Sequence, residues 1–155
     1  MTGQNDELAI RGLIETFCDG WNAQDGYTCA KPFGDTADFT AVNGTRVRGR
    51  EEIGRRHTEI LSTIFLGTRL RASVNSIEFL RPDVAVMDVT LYLTAPAVSS
   101  WIPTYTSCGI IAAKEEDRWV ISVFRNMVPF NRPIAGQLDR EYFERSVPKK
   151  GLARG

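Results

Sequence analysis

The chain has 155 residues and a mass of 17.3 kDa, the size of one domain with one sizeable core. Hydrophobic residues make up 43% and charged residues 25%, proportions that exclude a disordered or collagen-like chain. The 19 Lys and Arg balance the 19 Asp and Glu, so no net field draws the chain to nucleic acid or to anionic lipid, and neither is expected as a partner.

No apolar run approaches the roughly 20 residues of a spanning helix, and the opening residues lack the basic and apolar regions of a secretory signal. The expected setting is therefore the cytoplasm, as a soluble protein. Cys18, Cys29 and Cys108 are odd in number and form no CxxC pair, so they are expected as reduced, buried thiols rather than as a disulfide set or a metal site. With one histidine and no clustered acids, no metal is expected.

Residues 6–22 place Leu13, Phe17 and Trp21 at i, i+4 and i+8 with Ile10 and Ile14 beside them, the spacing of one helical face. Asp25-Gly26 ends that helix, and residues 27–33 allow one short further turn before Pro32 interferes. Residues 38–42 and 45–48 flank Asn43-Gly44, a strong hairpin signal. From Glu51 to Phe65, a second long helix sets Ile53, His57, Ile60, Leu61 and Ile64 on one stripe and is closed by Gly67. Four strands follow, over residues 69–79, 84–93, 104–114 and 118–128, the last two joined by the polar turn Glu115-Glu116-Asp117. A short helix is expected over residues 137–145, where Leu138 and Tyr142 stand at i, i+4 spacing.

Helices followed by antiparallel strands define an α+β layer architecture. No repeat or linker interrupts it, so residues 1–146 read as a single domain and residues 147–155 as a disordered tail. Both parities of residues 118–128 are rich in apolar side chains, which calls for cover on both sheet faces. The helices supply one cover and a second copy of the sheet the other, so a homodimer through the outer sheet face is expected.

In order along the chain stand Gly20-Trp21-Asn22-Ala23-Gln24-Asp25, Asp38-Phe39, Asn43-Gly44, Arg48-Gly49-Arg50-Glu51-Glu52-Ile53, His57, Pro82-Asp83-Val84-Ala85, Arg118-Trp119-Val120-Ile121 and Phe124-Arg125-Asn126. In that order and spacing the chain resembles the nuclear transport factor 2-like superfamily, the cystatin-like α+β barrels. Within it the likeness is to the SgcJ/EcaC-type oxidoreductase group, and more distantly to SnoaL-like polyketide cyclases. The resemblance implies a cone-shaped fold with N-terminal helices packed on a curved, mostly antiparallel sheet, and a cavity between the layers. It is far less specific for reaction, because one scaffold hosts many activities. No GxGxxG or flavin fingerprint is present, so no cofactor is expected. Steroid isomerases of the superfamily carry a catalytic carboxylate just before the first hairpin turn, where this chain has Phe39-Thr40-Ala41-Val42-Asn43, and their mechanism is not carried over.

Under that resemblance His57 points inward and serves as acid or base on an apolar carbonyl compound of polyketide-like metabolism, by isomerisation, cyclisation or dehydration. Asn126 would orient a carbonyl or an oxyanion, and Asp38, or less readily Asp35, would pair with His57 to fix its tautomer. The plain alternatives are an imidazole satisfied by one hydrogen bond, a backbone-capping amide and solvent-facing carboxylates. Phe17, Trp21, Tyr27, Phe39, Leu61 and Phe124 are expected to contact an apolar small-molecule ligand, with Trp101 covering the mouth from a lid over residues 95–103. Asp88, Thr90 and Tyr92 share the strand parity opposite Met87, Val89 and Leu91, and are expected on the outer face. Cys108 has no partner that would activate it as a nucleophile. A second function class fits the same residues: a non-catalytic dimeric protein that shields a hydrophobic biosynthetic intermediate.

Overall fold

The computed structural model describes residues 2–95 and 104–129. Trp101 and the lid, the helix at 137–145 and the tail therefore lie outside the described residues. Helix α1 (Thr2–Asn22) buries Ile10, Leu13, Ile14, Phe17 and Trp21 along the anticipated stripe. Helix α2 (Gly26–Ala30) is a single turn capped by Asp25, whose carboxylate accepts from the backbone N–H groups of Tyr27 and Thr28 at 3.1 Å each. Strands β1 (Phe33–Thr40) and β2 (Arg46–Arg48) precede helix α3 (Arg50–Leu61), and β3 (Arg69–Arg81), β4 (Val84–Thr94), β5 (Tyr105–Glu115) and β6 (Arg118–Met127) complete the set.

The six strands form one sheet in the order β2-β1-β6-β5-β4-β3. Every neighbouring pair is antiparallel except β1 with β6, which run parallel. The architecture is α+β with a mixed sheet. Helix α1 packs against β3 and β6, α3 packs against β1 and β2, and α2 sits against both longer helices. The three helices approach closely because of small residues. A Cβ on Gly26 would stand 2.1 Å from the backbone nitrogen of Thr58, and one on Gly20 would stand 2.3 Å from that of Cys29.

Helix α1 begins at Thr2 rather than Asp6 and β3 runs on to Arg81, and three further departures from the expected bounds have identifiable causes. Strand β1 begins at Phe33 rather than Asp38, because its first residues pair with β6, remote in sequence, where Phe33 meets Ile121. Helix α3 stops at Leu61 rather than Phe65: the hydroxyls of Ser62 and Thr63 donate to the carbonyl of Glu59 at 2.9 and 2.7 Å and replace the next helical N–H donors. The hairpin at Asn43-Gly44 forms with a three-residue loop, in which Ala41 N–H donates to Thr45 at 2.9 Å and Gly44 takes a positive φ of 82°.

Apolar residues occupy both parities of β6 because the strand changes face part-way along. Ile121 pairs with Ala112 and Val123 with the adjacent Ile111, leaving Ser122 as an extra residue in a bulge. Trp119 and Ile121 enter the core before the bulge, and Phe124 enters it afterwards, with its ring 5.4 Å from that of Phe17. Part of the two-sided pattern thus belongs to a single face. The outer face keeps one half-buried apolar row, Val86, Ile111 and Val123, across three adjacent strands. Asp88 and Tyr92 lie exposed on that face, as their parity requires.

Candidate functional site

The helices and sheet pack tightly at one end, where Met87, Ile110, Ala112 and Ile121 are fully buried. At the opposite end they part around a cavity of about 350 Å³. Its walls come from the ends of elements: Phe17 and Trp21 on α1, His57 and Ile60 on α3, Phe39 and Val47 on the first hairpin, and Leu91 and Leu93 on β4. Thr106, Asn126 and Leu70 close the sheet side, which the pairing explains, since Leu70 opposes Leu93, Leu91 opposes Thr106 and Cys108 opposes Asn126. Among the described residues, no carboxylate lines it.

Trp21 is held in this wall by a polar clamp at the end of α1. Its indole N–H donates to Thr68 Oγ1 at 3.0 Å, and Thr68 in turn donates to the carbonyl of Phe65 at 2.7 Å. Asn22 imitates a strand neighbour for the edge strand β3: its amide donates to the Leu70 carbonyl at 2.9 Å and accepts from the Leu70 N–H at 2.7 Å. Gln24, at a positive φ of 57°, accepts from Gly67 N–H at 2.9 Å and donates to the Trp21 carbonyl at 3.0 Å. The segment noted for its resemblance is thus a joint between helix and sheet that also sets one cavity wall.

His57 is 2% exposed and stands edge-on to three rings, with centroids 5.0 Å from Phe39, 5.4 Å from Phe17 and 6.2 Å from Trp21. Nδ1 donates to the carbonyl of Ile53 one turn earlier, at 2.8 Å. A carbonyl can only accept, so the ring proton belongs on Nδ1. Burial pushes the imidazole pKa down to about 4, against the opposing effect of that hydrogen bond, and Arg56 lowers it further. The ring is therefore neutral near pH 7 with a bare lone pair on Nε2.

Asn126 also lines the cavity, and its Oδ1 accepts from the Cys108 thiol at 3.0 Å. That thiol keeps its proton, since burial raises its pKa to about 12. The remaining expectations need correction or fall elsewhere. Asp38 does not reach His57: it lies on the opposite parity of β1 from Phe39, where it pairs with Arg46 and, at 3.2 Å, with Arg125. Those hydrogen bonds, Arg46 foremost, hold its pKa near 2 and spend its acceptor capacity. Asp35 pairs with Arg50 at 2.6 Å on the surface. Tyr27 is 48% exposed and lies over Gly54, outside the cavity. Leu61 and Phe124 are buried one layer behind it, because α3 turns Ile60 rather than Leu61 toward the space and Phe39 stacks over Phe124 with centroids 4.9 Å apart.

Phe17, Trp21, Phe39, His57 and Asn126 therefore share one cavity, while Asp38, Tyr27, Leu61 and Phe124 do not enter it. Leu91, Leu93 and Thr106 were absent from the expected set. Their signal was present in the inward parity of β4 and β5, read toward the strand ends that meet the C-terminal ends of α1 and α3.

No family model matches the chain, and no curated protein matches it. Solved structures do. A domain of unknown function with a cystatin-like fold from Nostoc punctiforme is 29% identical, with a TM-score of 0.77 over 91% of this chain and 84% of its own. The fold is cystatin-like. An NTF-2 like protein of unknown function from Shewanella oneidensis shares the cystatin-like architecture at 16% identity, with a TM-score of 0.67, covering 79% of this chain and 99% of that one. A candidate scytalone dehydratase from Novosphingobium aromaticivorans is similar at 15% identity, with a TM-score of 0.66, covering 81% of this chain and 85% of that one. Among the described residues of this cystatin-like chain, no helix is long and apolar enough to cross a membrane.

Proposed function

We propose that this chain holds a largely apolar small molecule of natural-product metabolism in the cavity, as a binding protein. The observation that carries this reading is the lining itself: mostly aromatic and aliphatic side chains, with His57 and Thr106 as its buried polar residues and no carboxylate among the described residues. Acid and base work near neutrality asks for a group whose pKa lies near the operating pH. His57, at about 4, sits well below that range and has no carboxylate partner among the described residues of the site to raise it.

A second reading keeps one supporting observation. The lone pair of His57 faces a largely apolar cavity, where a weak base can still abstract an activated proton in isomerisation, cyclisation or dehydration of a carbonyl compound. The similar candidate scytalone dehydratase makes dehydration the natural form of that reading. Incubating the purified protein with a small-molecule extract of its source, followed by mass detection, separates the two. Withdrawal of one compound up to one equivalent per chain supports binding. Consumption of many equivalents with a new product mass supports catalysis instead.

The homodimer belongs to the same proposal. The half-buried row Val86, Ile111 and Val123 is the apolar centre of an outer sheet face otherwise lined by Asp88, Arg125 and Tyr92. Light scattering should give about twice the 17.3 kDa of one chain. A mass of one chain refutes the dimer. The three cysteines, buried and unpaired, favour a reducing compartment, the cytoplasm.

A further inference from the structure

The polar chemistry of the cavity has a definite sign at its centre. Among the described residues, no side-chain nitrogen or oxygen is both fully buried and without a hydrogen bond. Nε2 of His57 has no hydrogen-bond partner among them, so it is open to the cavity that the ring lines. The Ile53 carbonyl fixes the proton on Nδ1, which leaves Nε2 able to accept and unable to donate. Two neighbouring groups are already committed, while the amide NH2 of Asn126 has no hydrogen-bond partner among the described residues. The Trp21 N–H is taken by Thr68, and Asn126 Oδ1 by Cys108. Arg56, the one basic side chain on the rim among the described residues, is paired with Glu59 at 2.9 Å.

A ligand that buries an acceptor against Nε2 sets two lone pairs together and loses water from both, whereas one that brings a hydrogen gains a bond in an apolar site. A carboxylate does worst, because it must be desolvated with no unpaired cation among the described lining residues to receive it. The aromatic walls around His57, from Phe17, Trp21 and Phe39, suit a flat ring.

From this arrangement we propose that the cavity selects a neutral, flat-ringed molecule carrying a hydroxyl group, whose hydrogen is donated to Nε2 of His57, in preference to the corresponding ether and carboxylate. The proposal rests on the small-molecule reading above and adds the ligand's functional group and its orientation.

Calorimetric titration of the full chain at pH 7 with 2-naphthol, 2-methoxynaphthalene and 2-naphthoate tests it. The naphthol is expected to bind about tenfold more tightly than the ether, the advantage of one buried hydrogen bond, and the naphthoate most weakly. In His57→Phe the advantage of the naphthol should vanish while the ether keeps its affinity. A second measurement needs no variant. His57 is the only histidine, so ¹⁵N-histidine labelling reports a single imidazole. Its Nε2 resonance should move on adding 2-naphthol and stay in place on adding the ether. Equal binding of naphthol and ether with an unmoved Nε2 resonance, or tighter binding of the naphthoate, overturns the proposal and leaves the apolar cavity as a binding site. Failure of all three compounds to bind overturns both.

Discussion

His57 carries a proton on one nitrogen only, and that state ties its chemistry to the stability of the fold. Its pKa falls from 6.5 in the unfolded chain to about 4 in the native one. Below pH 6.5 the unfolded chain therefore binds the extra proton and the native chain does not, so stability declines as pH falls from 6.5 to 4 and is independent of this group outside that window. The shift corresponds to about 3 kcal/mol at full extent. Urea unfolding should become easier across this range in the wild type and stay nearly level in His57→Gln down to pH 5. Asp38, held near 2 by Arg46 and Arg125, acts only below its ordinary 3.8 and leaves the His57 window clear. At this scale the sequence disclosed His57 well, since the helical stripe alone turns it inward. It did not disclose the failure of Asp38 to join it. Asp38 and Phe39 are adjacent, and only the side of β1 that packs on the helices decides which of them sees the cavity.

The elements are joined by a few polar contacts whose loss should be measurable. Asn22→Ala removes both hydrogen bonds to Leu70 and leaves the N–H and carbonyl of an edge strand without partners, which should destabilise the protein by about 1–3 kcal/mol. Because Trp21 is set by the same joint, ligand affinity should fall in that variant as well. Gly26→Ala would press a methyl group into the backbone of α3 at Thr58 and should destabilise the fold by about 1–3 kcal/mol, as read from the shift in urea midpoint. Element types were legible from local pattern: helical stripes for α1 and α3, and alternation with turn residues for the strands. Bounds were lost where distant partners decide them. The first half of β1, Phe33 to Ala37, contains Gly34, Asp35 and Thr36, which read as a loop until β6 lies alongside. The bulge at Ser122 was equally hidden, because an inserted residue looks in sequence like a strand with two apolar faces.

For the molecule as a whole, order in the sheet determines which parts open first. Strands β5 and β6 are central and their inward residues Ile110, Phe124 and Ile121 are fully buried, whereas β2 and β3 are edges. Amide hydrogen exchange should be slowest at the centres of β5 and β6 and measurably faster along the outer half of β3, with ligand slowing exchange near Leu70 and Leu93 at the cavity. Fold class and cavity were legible at this scale because binary pattern and element order restrict the architecture to few choices. The proposed ligand chemistry was not, since it rests on a tautomer set by one backbone carbonyl.

The parallel pairing of β1 with β6 also bears on how the chain reaches this state. Phe33 finds its partner only at Ile121, beyond β2, α3 and strands β3 to β5, so the first strand made by a ribosome waits for the last of the described ones. Until then the cavity wall carrying Phe39 has no neighbour on that side, and β1 exposes an unpaired edge to other nascent chains. Slow closure of this single long-range pair is the expected rate-limiting event of folding, and chaperone dependence during synthesis would trace to it.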